Sequence, residues 1–420
     1  MKILWARGFT LGLTMALATA MPPAALAQAS NSTCQPGPCN VTARVYREGN
    51  AWVQEVTGTI AAGKMLSVQS ALGSVQVHGA AQPNVTYTIK KKVFRGGEEQ
   101  ARHDMSRLVE NVRRRGEMVA IELEWAGDHA NRMSVEISAT VPKETAAAHI
   151  ETMGGSVDVK GLAGKVDART AGGSITLDDI GGNAAAETMG GSIWAGNIGG
   201  VATLETAGGS INIGSVGGHL SATTSGGSIS VGSGQQNITL ETAGGSISVK
   251  QCNGQLSAST AGGSIDIGTV GGAASLESAG GSIRMNGAKG IVRVRTASGG
   301  IRLTRLNSGL TAETMAGPIE AEFIAGKGEF SDSRLETTVG DIIVYLPSDL
   351  PVTIKAAIEM ANGHMIRSQF DGVNVTTEGG TYGPKTIFAD GKLNGGGPVL
   401  KLHTTNGNIE LRKTSMESRK

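Results

Sequence analysis

The sequence predicts an all-β protein, a parallel β-solenoid of about ten regular 18-residue coils with degenerate capping coils and one amphipathic helix in the N-terminal cap. Three observations support this prediction. Glycine accounts for 63 of the 420 residues, about twice its usual share of ~7%, while aromatic residues account for only 3%. The glycines recur in register with an 18-residue period, and the apolar residues between them alternate with a period of two. Such a fixed period is typical of a solenoid and argues against a disordered linker.

Residues 1–27 have the pattern of a signal peptide. Lys2 and Arg7 form a basic start, residues 9–20 are apolar, and Ala25-Leu26-Ala27 fits a cleavage site. We therefore expect export to the periplasm, the cell surface or the extracellular space. No later stretch reaches the roughly 18 apolar residues that a membrane-spanning helix needs, so we predict no transmembrane segment in the mature chain.

Residues 28–62 form a predicted N-terminal segment with a C-x4-C motif. Cys34 and Cys39 enclose Gln-Pro-Gly-Pro, a turn-rich loop short enough to close with a disulfide in an oxidising compartment. Half of a metal site is the alternative, but no second Cys/His pair accompanies the motif. The third cysteine, Cys252, falls in an apolar column of the repeat, which predicts a small buried residue.

Residues 63–145 form a predicted N-terminal cap. Residues 70–77 already fit the coil template. Apolar residues at helical spacing over 98–115, followed by Gly116, predict an amphipathic helix, with strands at 84–93 and 118–125 on either side.

The cap is also locally basic, with Lys90-Lys91-Lys92, Arg95 and Arg113-Arg114-Arg115 close together in the sequence. Two interpretations stay open for this cluster. It could dock on an anionic envelope polymer, or the arginines could be the solvated C-terminus of the helix, where positive charge is favourable.

Residues 146–324 form the predicted regular solenoid. The threonine of the phrase Thr-x-Gly-Gly-Ser-Ile falls once per 18-residue period at Thr152, Thr170, Thr188, Thr206, Thr224, Thr242, Thr260, Ser278, Thr296 and Thr314. Two short alternating runs in each period predict two half-buried strands per coil. The threonine shares the parity of the buried residues, so we expect it to point inward and bond corner backbone. An outward hydroxyl array is the alternative.

The third residue after the threonine position is glycine in every regular copy. These corner glycines are Gly155, Gly173, Gly191, Gly209, Gly227, Gly245, Gly263, Gly281, Gly299 and Gly317. Either a positive φ angle or a backbone too close to its neighbour for a Cβ atom explains such a column. Tight corners of this kind also explain why the thin coils hold few aromatic rings.

The residue before the threonine position is predicted to face outward, and this column contains Glu187, Glu205, Glu241 and Glu277. Neighbouring glutamates would stack about 5 Å apart and repel unless solvated or bridged by a cation. Trp194 has outward parity on its own coil. We predict that Trp194 and these glutamates form a candidate contact surface. The alternatives are a solvated charged face, and a Trp194 covered by a neighbouring loop.

Residues 325–420 form predicted degenerate coils and a C-terminal cap. The template returns at residues 337–342, later than the regular period requires, which implies a five-residue insertion. It returns once more at residues 400–409. Atypical terminal coils are what a solenoid needs to protect its open edges.

Several of these segments occur together in a known family. They are Lys64–Val68, Val75–Gly79, the Thr-x-Gly-Gly-Ser-Ile-x-Val coils, Asp341–Pro347 and Thr404–Ile409. This ordered set, over roughly residues 60 to 412, resembles the bacterial putative-adhesin family of β-strand-repeat (β-solenoid) proteins, a domain of unknown function. The resemblance implies an exported, envelope-associated β-solenoid. It implies no catalytic residues, and this chain departs from shorter members in its long unbroken block of 18-residue coils.

The sequence therefore predicts a non-enzymatic exported β-solenoid that acts as an adhesive or scaffolding surface of the bacterial cell envelope, with an unknown envelope polymer or protein as its partner. A formal net charge of +1 gives no general attraction to nucleic acid. The positions that bind Ca²⁺ in β-rolls hold apolar residues here, and the seven histidines show no ligand spacing, so we predict no metal or cofactor.

Two other functions stay open. A carbohydrate-active β-helix enzyme would need carboxylates converging on one groove, whereas here they form a column. An envelope sensor or regulatory protein is the third hypothesis, which the sequence does not separate from the first.

Overall fold

The computed structural model describes residues 40–94, 96–126, 133–324, 329–379 and 385–414. The predicted signal peptide and the Cys34/Cys39 pair lie outside the described residues and stay predictions. Within the described part of the chain, no helix is long and apolar enough to cross a membrane.

The secondary structure is almost entirely strand. The N-terminal cap contains β1 Asn40–Glu48, β2 Ala51–Ala61, β3 Met65–Ser70, β4 Ser74–Ala80, β5 Asn84–Phe94, α1 Glu98–Ser106, β6 Leu108–Arg115, β7 Met118–Trp125 and β8 Met133–Pro142. The regular block contains β9 Ala147–Thr152, β10 Val157–Leu162, β11 Lys165–Thr170, β12 Ile175–Ile180, β13 Ala184–Thr188, β14 Ile193–Ile198, β15 Ala202–Thr206, β16 Ile211–Val216, β17 Leu220–Thr224, β18 Ile229–Gly234, β19 Ile238–Thr242, β20 Ile247–Cys252, β21 Leu256–Thr260, β22 Ile265–Val270, β23 Ala274–Ser278, β24 Ile283–Ala288, β25 Val292–Ser298, β26 Ile301–Leu306, β27 Leu310–Ala316 and β28 Ile319–Phe323. The C-terminal part contains β29 Ser333–Val339, β30 Ile342–Leu346, β31 Val352–Ile358, β32 Ile366–Ser368, β33 Val373–Glu378, β34 Thr386–Leu393, β35 Val399–Asn406 and β36 Ile409–Lys413.

Each regular coil contributes one strand to each of two sheets. Even-numbered strands from β10 to β28 build sheet 1, and odd-numbered strands from β9 to β27 build sheet 2. Every strand pairs in parallel with the equivalent strand of the next coil, as Ile193 pairs with Ile211. The predicted parallel β-solenoid is confirmed.

The caps continue both sheets as single rows of pairings. Sheet 1 runs from β1 through β2, β5, β8 and β4 into β10, and ends with β30, β36 and β32. Sheet 2 runs from β6 through β7 and β3 into β9, and ends with β29, β35, β31, β34 and β33. Residues 40–61, placed before the cap by the sequence, therefore belong to the same sheet as the coils.

The core between the sheets consists of stacked columns of aliphatic side chains. One column is Ile175, Ile193, Ile211, Ile229, Ile247, Ile265 and Ile283, each at most 1% exposed. Full burial of one such side chain contributes about 1.5–3 kcal/mol, and the parallel ladders pair the backbone. Cys252 is buried in its column, as predicted, and burial raises the pKa of its thiol.

The corner glycines are required by the approach of one coil to the next. A Cβ atom on Gly173 would lie 2.1 Å from the carbonyl oxygen of Gly155. Across the ten corner positions this distance is 1.9–2.6 Å, well inside van der Waals contact. A positive φ occurs in this column only at Gly299 and Gly317. Close approach therefore explains the whole column, and backbone conformation adds to it only at the last two coils.

The threonines point inward, as predicted. Thr242 is 2% exposed, and its Oγ1 donates to the carbonyl oxygen of Gly227 at 2.7 Å. The backbone N–H of Gly245 donates to the same Oγ1 at 3.2 Å. The donated bond recurs at all ten positions, including Ser278. Each corner is thereby bonded to the corner of the previous coil.

The predicted helix over 98–115 is too long. The helix α1 ends at Ser106, and residues 108–115 form β6, which pairs with β7 in a hairpin. Leu108 and Val112, both buried, are four residues apart, a spacing that fits a strand face as well as a helix face. Gly116, with φ +59°, serves the two-residue hairpin turn and does not end the helix. The strands predicted on either side are confirmed as β5 and β7.

Three residues of the predicted basic cluster of the cap are paired with carboxylates. Lys91 is 1% exposed; its Nζ pairs with the Glu110 carboxylate and donates to the carbonyl oxygens of Met105 and Leu108. Lys92 pairs with Glu48 at 2.9 Å, and Arg113 with Glu122 at 2.5 Å. Arg114 and Arg115 are exposed, and Arg95 lies outside the described residues, so docking on an anionic polymer stays a prediction. The alternative, that the arginines form the C-terminus of the helix, is wrong, because α1 ends at Ser106 and Arg113–Arg115 belong to β6.

The five-residue insertion lies between β27 and β29, where Thr314 pairs with Thr337. Phe323 and Phe330 pack edge to face beside it, with ring centroids 5.2 Å apart. The chain then runs through β31 to the edge strand β33, comes back as β34 between β33 and β31, and returns as β35 between β29 and β31. Thr404 of this closing coil donates to Gly340, which repeats the regular corner bond.

Candidate functional site

The outward column of sheet 2 forms a continuous row along the solenoid. Glu187 and Glu205 are direct register partners. Further along, the row continues through Glu241, Ser259, Glu277, Arg295, Glu313, Glu336 and His403. The repeat period does not identify Glu336 and His403, because they follow at irregular steps. The template matches at Thr337 and Thr404 were the signal that could have placed them.

A groove of about 860 Å³ runs beside this row and crosses eight coils, from Thr223 to His403. At a coil rise of about 4.8 Å, it extends for roughly 34 Å along the solenoid axis. The residues just after the threonine position line it. Met315 is large, and the others are small: Ser225, Ala243, Ala261, Ala279 and Ala297. Because these side chains are short, an open groove remains above them, and the outward glutamates lie along its edge.

The groove carries net negative charge. Its lining contains Glu241, Glu277, Glu313 and Glu336, and Arg295 is the one lysine or arginine among its described lining residues. Arg295 pairs with Glu313 at 2.8 Å, and this pairing raises the pKa of the Arg295 guanidinium. Within the described residues, neither Glu205 nor Glu241 has a hydrogen-bond or ion-pair partner. The row therefore contains uncompensated carboxylates.

The C-terminal end of the groove is polar. His403 Nε2 lies 3.0 Å from Glu359 Oε1, and Thr405 Oγ1 donates to Glu359 Oε2 at 3.3 Å. Lys401 Nζ donates to Glu336 Oε1 at 3.1 Å. Across the described ranges, no group of three His, Cys, Asp or Glu side chains is placed to hold a metal ion.

Trp194 lies on the other face of the molecule. It belongs to β14 in sheet 1 and is 44% exposed, whereas Glu187, Glu205, Glu241 and Glu277 lie on sheet 2. The structure therefore does not bring these five side chains together. The candidate contact surface divides into a groove on sheet 2 and a separate tryptophan on sheet 1.

Comparison with known proteins confirms the resemblance to the β-strand-repeat family. Residues 235–412 match the Toastrack DUF4097 family model. No curated protein matches the chain.

Solved structures similar to this chain include two from Parabacteroides distasonis. The first, described as a putative lipid binding protein, is 16% identical, covers 71% of this chain and 98% of its own, and has a TM-score of 0.25. The second, described as a putative adhesin, is 11% identical, covers 70% and 96%, and has a TM-score of 0.27. A putative adhesin from Parabacteroides merdae is 11% identical, covers 65% and 96%, and has a TM-score of 0.24.

Proposed function

We propose that this chain is an exported, non-enzymatic β-solenoid that acts as an adhesive or scaffolding surface of the bacterial cell envelope, and that it holds an extended partner along the sheet 2 groove. The observation that carries this proposal is the direction of the groove. It follows the solenoid axis across eight coils and ends at the C-terminal cap. A compact ligand would use a fraction of this length, whereas an extended polymer or peptide segment would use all of it.

The repeat makes such binding additive. Each coil offers an outward polar side chain beside a small residue, at a spacing of about 4.8 Å from the next coil. Contacts with successive units of one partner then act together, as in multivalent binding. A catalytic groove concentrates a few carboxylates at one point, so this even distribution favours binding over catalysis.

The charge of the groove favours a cationic partner. Glu241, Glu277 and Glu313 lie two coils apart, or about 9.6 Å. A polyproline II segment rises ~3.1 Å per residue, so a lysine at every third position places its charges about 9.3 Å apart. An extended segment with this charge spacing matches Glu241 and Glu277, and at Glu313 it would compete with the Arg295 guanidinium, 2.8 Å away.

The test compares coil deletions on the mature chain. Deleting residues 237–254 removes one groove coil and keeps the register, and deleting 237–290 removes three. Deleting 165–182 removes a coil outside the groove and serves as the matched control. We expect binding of a (Pro-Pro-Lys)6 peptide, measured by calorimetry, to weaken stepwise with the groove deletions and to be unchanged by the control.

Two results would contradict the proposal. One is binding that disappears on a single Glu241→Gln change and does not depend on coil number. The other is release of new reducing ends or unsaturated products from envelope or plant polysaccharides, which would favour the carbohydrate-active enzyme.

A further inference from the structure

Trp194 is the exposed tryptophan of the described chain. Trp52 and Trp125 pack against the core, but Trp194 is 44% exposed on the outer face of sheet 1. A Cβ atom on Gly196 would lie 2.8 Å from Cη2 of the indole and 2.0 Å from Oδ1 of Asp178. The ring therefore lies along its own strand over Gly196, with close to half of the residue exposed to solvent. The missing side chain at Gly196 makes this orientation sterically feasible.

The row of side chains that begins at the ring is polar and uncharged, and it is bordered by the Asp178 carboxylate at Gly196 and by the exposed Lys250 next to Ser248. In the three following coils, the positions in register with Trp194 are Asn212, Ser230 and Ser248, all exposed and without hydrogen-bond partners in the described structure. The positions in register with Gly196 in the next two coils are Gly214 and Gly232. We call Trp194, Asn212, Ser230, Ser248 and these three glycines the Trp194 shelf.

We propose that the Trp194 shelf binds a neutral polysaccharide, with one pyranose ring stacked on the indole. One face of a pyranose ring presents C–H groups, which the negative face of an aromatic ring attracts. The rim of the sugar carries hydroxyl groups, and the amide of Asn212 and the hydroxyl of Ser230 can each both donate and accept hydrogen bonds. The uncharged polar positions continue over three coils as far as Ser248, before Asp266 follows in register, so the next few sugar units meet the same chemistry.

The composition of the shelf favours this ligand over a protein. A stable protein interface buries about 800 Å² on each partner around an apolar core, and here one large apolar side chain stands among serine, asparagine and glycine. The nearby carboxylate of Asp178 is held by the backbone N–H groups of Asp179 and Asn197, at 3.0 and 3.3 Å. No side chain of the shelf is charged, which matches a neutral ligand rather than a polyanion or polycation.

This site lies on sheet 1 and is independent of the sheet 2 groove. It would give the molecule a second binding surface besides the one proposed above. The test is native affinity electrophoresis of the mature protein in gels containing hydroxyethyl cellulose, galactomannan or dextran. We expect at least one polymer to retard the protein. Trp194→Ala should weaken that affinity at least tenfold, whereas Trp194→Phe should retain part of it.

Two further variants distinguish binding at the shelf from binding at the groove. Gly196→Ala should weaken the affinity with the indole still present, because the new methyl group displaces the ring from its position on the sheet. The double variant Glu241→Gln/Glu277→Gln should bind the polymer as the parent does, even if it no longer binds the (Pro-Pro-Lys)6 peptide. Circular dichroism melting confirms that each variant is folded. Absence of retardation in all three polymers, or an unchanged affinity of Trp194→Ala, would overturn the proposal.

Discussion

The hydroxyl of Thr242 donates a 2.7 Å hydrogen bond to the carbonyl oxygen of Gly227 in the coil before it. The same bond occurs once per regular coil, from a buried side chain to the backbone of its neighbour. In a core made of small aliphatic residues, these bonds connect consecutive corners in addition to the strand ladders.

We expect Thr242→Val to lower the free energy of unfolding by about 1–3 kcal/mol, because it leaves the Gly227 carbonyl and the Gly245 N–H without this partner in a buried corner. The measurement is urea unfolding followed by circular dichroism. Thr242→Ser is the control and should remain close to the parent, since Ser278 already makes the equivalent bond at 2.9 Å. A valine variant as stable as the serine variant would contradict a stabilising role for the hydroxyl.

The two glycines of one corner should differ sharply in how much stability is lost when each is replaced by alanine. A Cβ atom on Gly191 would lie 2.0 Å from the carbonyl oxygen of Gly173, whereas one on Gly190 would lie 3.4 Å from its nearest neighbour, the carbonyl oxygen of Gly172. We expect Gly191→Ala to cost about 3 kcal/mol through backbone displacement, and Gly190→Ala to stay within about 0.5 kcal/mol of the parent. Equal urea midpoints for the two variants would show that the coils can move apart at Gly191 with no loss in the free energy of unfolding, which would contradict this prediction.

Lys91 is expected to hold α1 in place. Lys91→Met would leave the Glu110 carboxylate and the Met105 and Leu108 carbonyl oxygens without its ammonium group, so we expect faster amide hydrogen exchange in α1 and lower stability. Replacing Glu110 by Gln as well should recover part of the loss, as a double-mutant cycle would show. Equal hydrogen exchange in Lys91→Met and the parent would argue against this role.

The same lysine gives stability a predictable dependence on pH. Burial lowers the pKa of Lys91 below its ordinary 10.5, so the folded state binds this proton less tightly than the unfolded state. The contribution of Lys91 to the unfolding free energy therefore increases as pH rises from the folded pKa toward the unfolded one. The difference in unfolding free energy between the parent and Lys91→Met should change in that direction over this interval.

Arg295→Ala should change the affinity for the peptide while leaving the stability of the protein almost unchanged. The Arg295–Glu313 pair is solvent-exposed, so its loss should change stability by less than about 1 kcal/mol. The groove would then carry an additional uncompensated carboxylate, and we expect tighter binding of the (Pro-Pro-Lys)6 peptide, with the gain reduced at high salt. Calorimetry at two salt concentrations measures this, and weaker binding at low salt would argue against electrostatic recognition in the groove.

The sequence predicts the regular part of the fold well because each position there has one physical requirement. The invariant Gly155-to-Gly317 column and the inward threonines follow from parity and period alone. The end of α1 was mispredicted because Leu108 and Val112 fit two kinds of secondary structure, and pairing with β7 decides between them. Pairing partners of this kind are distant in the chain and leave no local signal.

The candidate site was predicted only in part for a related reason. Period and parity identify outward positions, including Glu241 and Trp194, and assign them to different strands of the coil, but they do not show that these two strands face opposite sides of the molecule. The groove also depends on Glu336 and His403, which join the row through an insertion and a returning strand. The closing coil, and not the 18-residue repeat, places Glu336 and His403 in the row.

The corner contacts join each coil only to its two neighbours. The length of the regular block is therefore set by its number of coils. Removing or duplicating any whole 18-residue coil of the regular block restores the same glycine and threonine contacts at the junction. Other changes of length keep these contacts only where a loop absorbs them, as the five-residue insertion before β29 does. The distance between the two caps can therefore change in steps of about 4.8 Å without redesign of either end. Tandem duplication of a DNA segment that encodes one coil is therefore sufficient to lengthen the distance between the N-terminal and C-terminal caps.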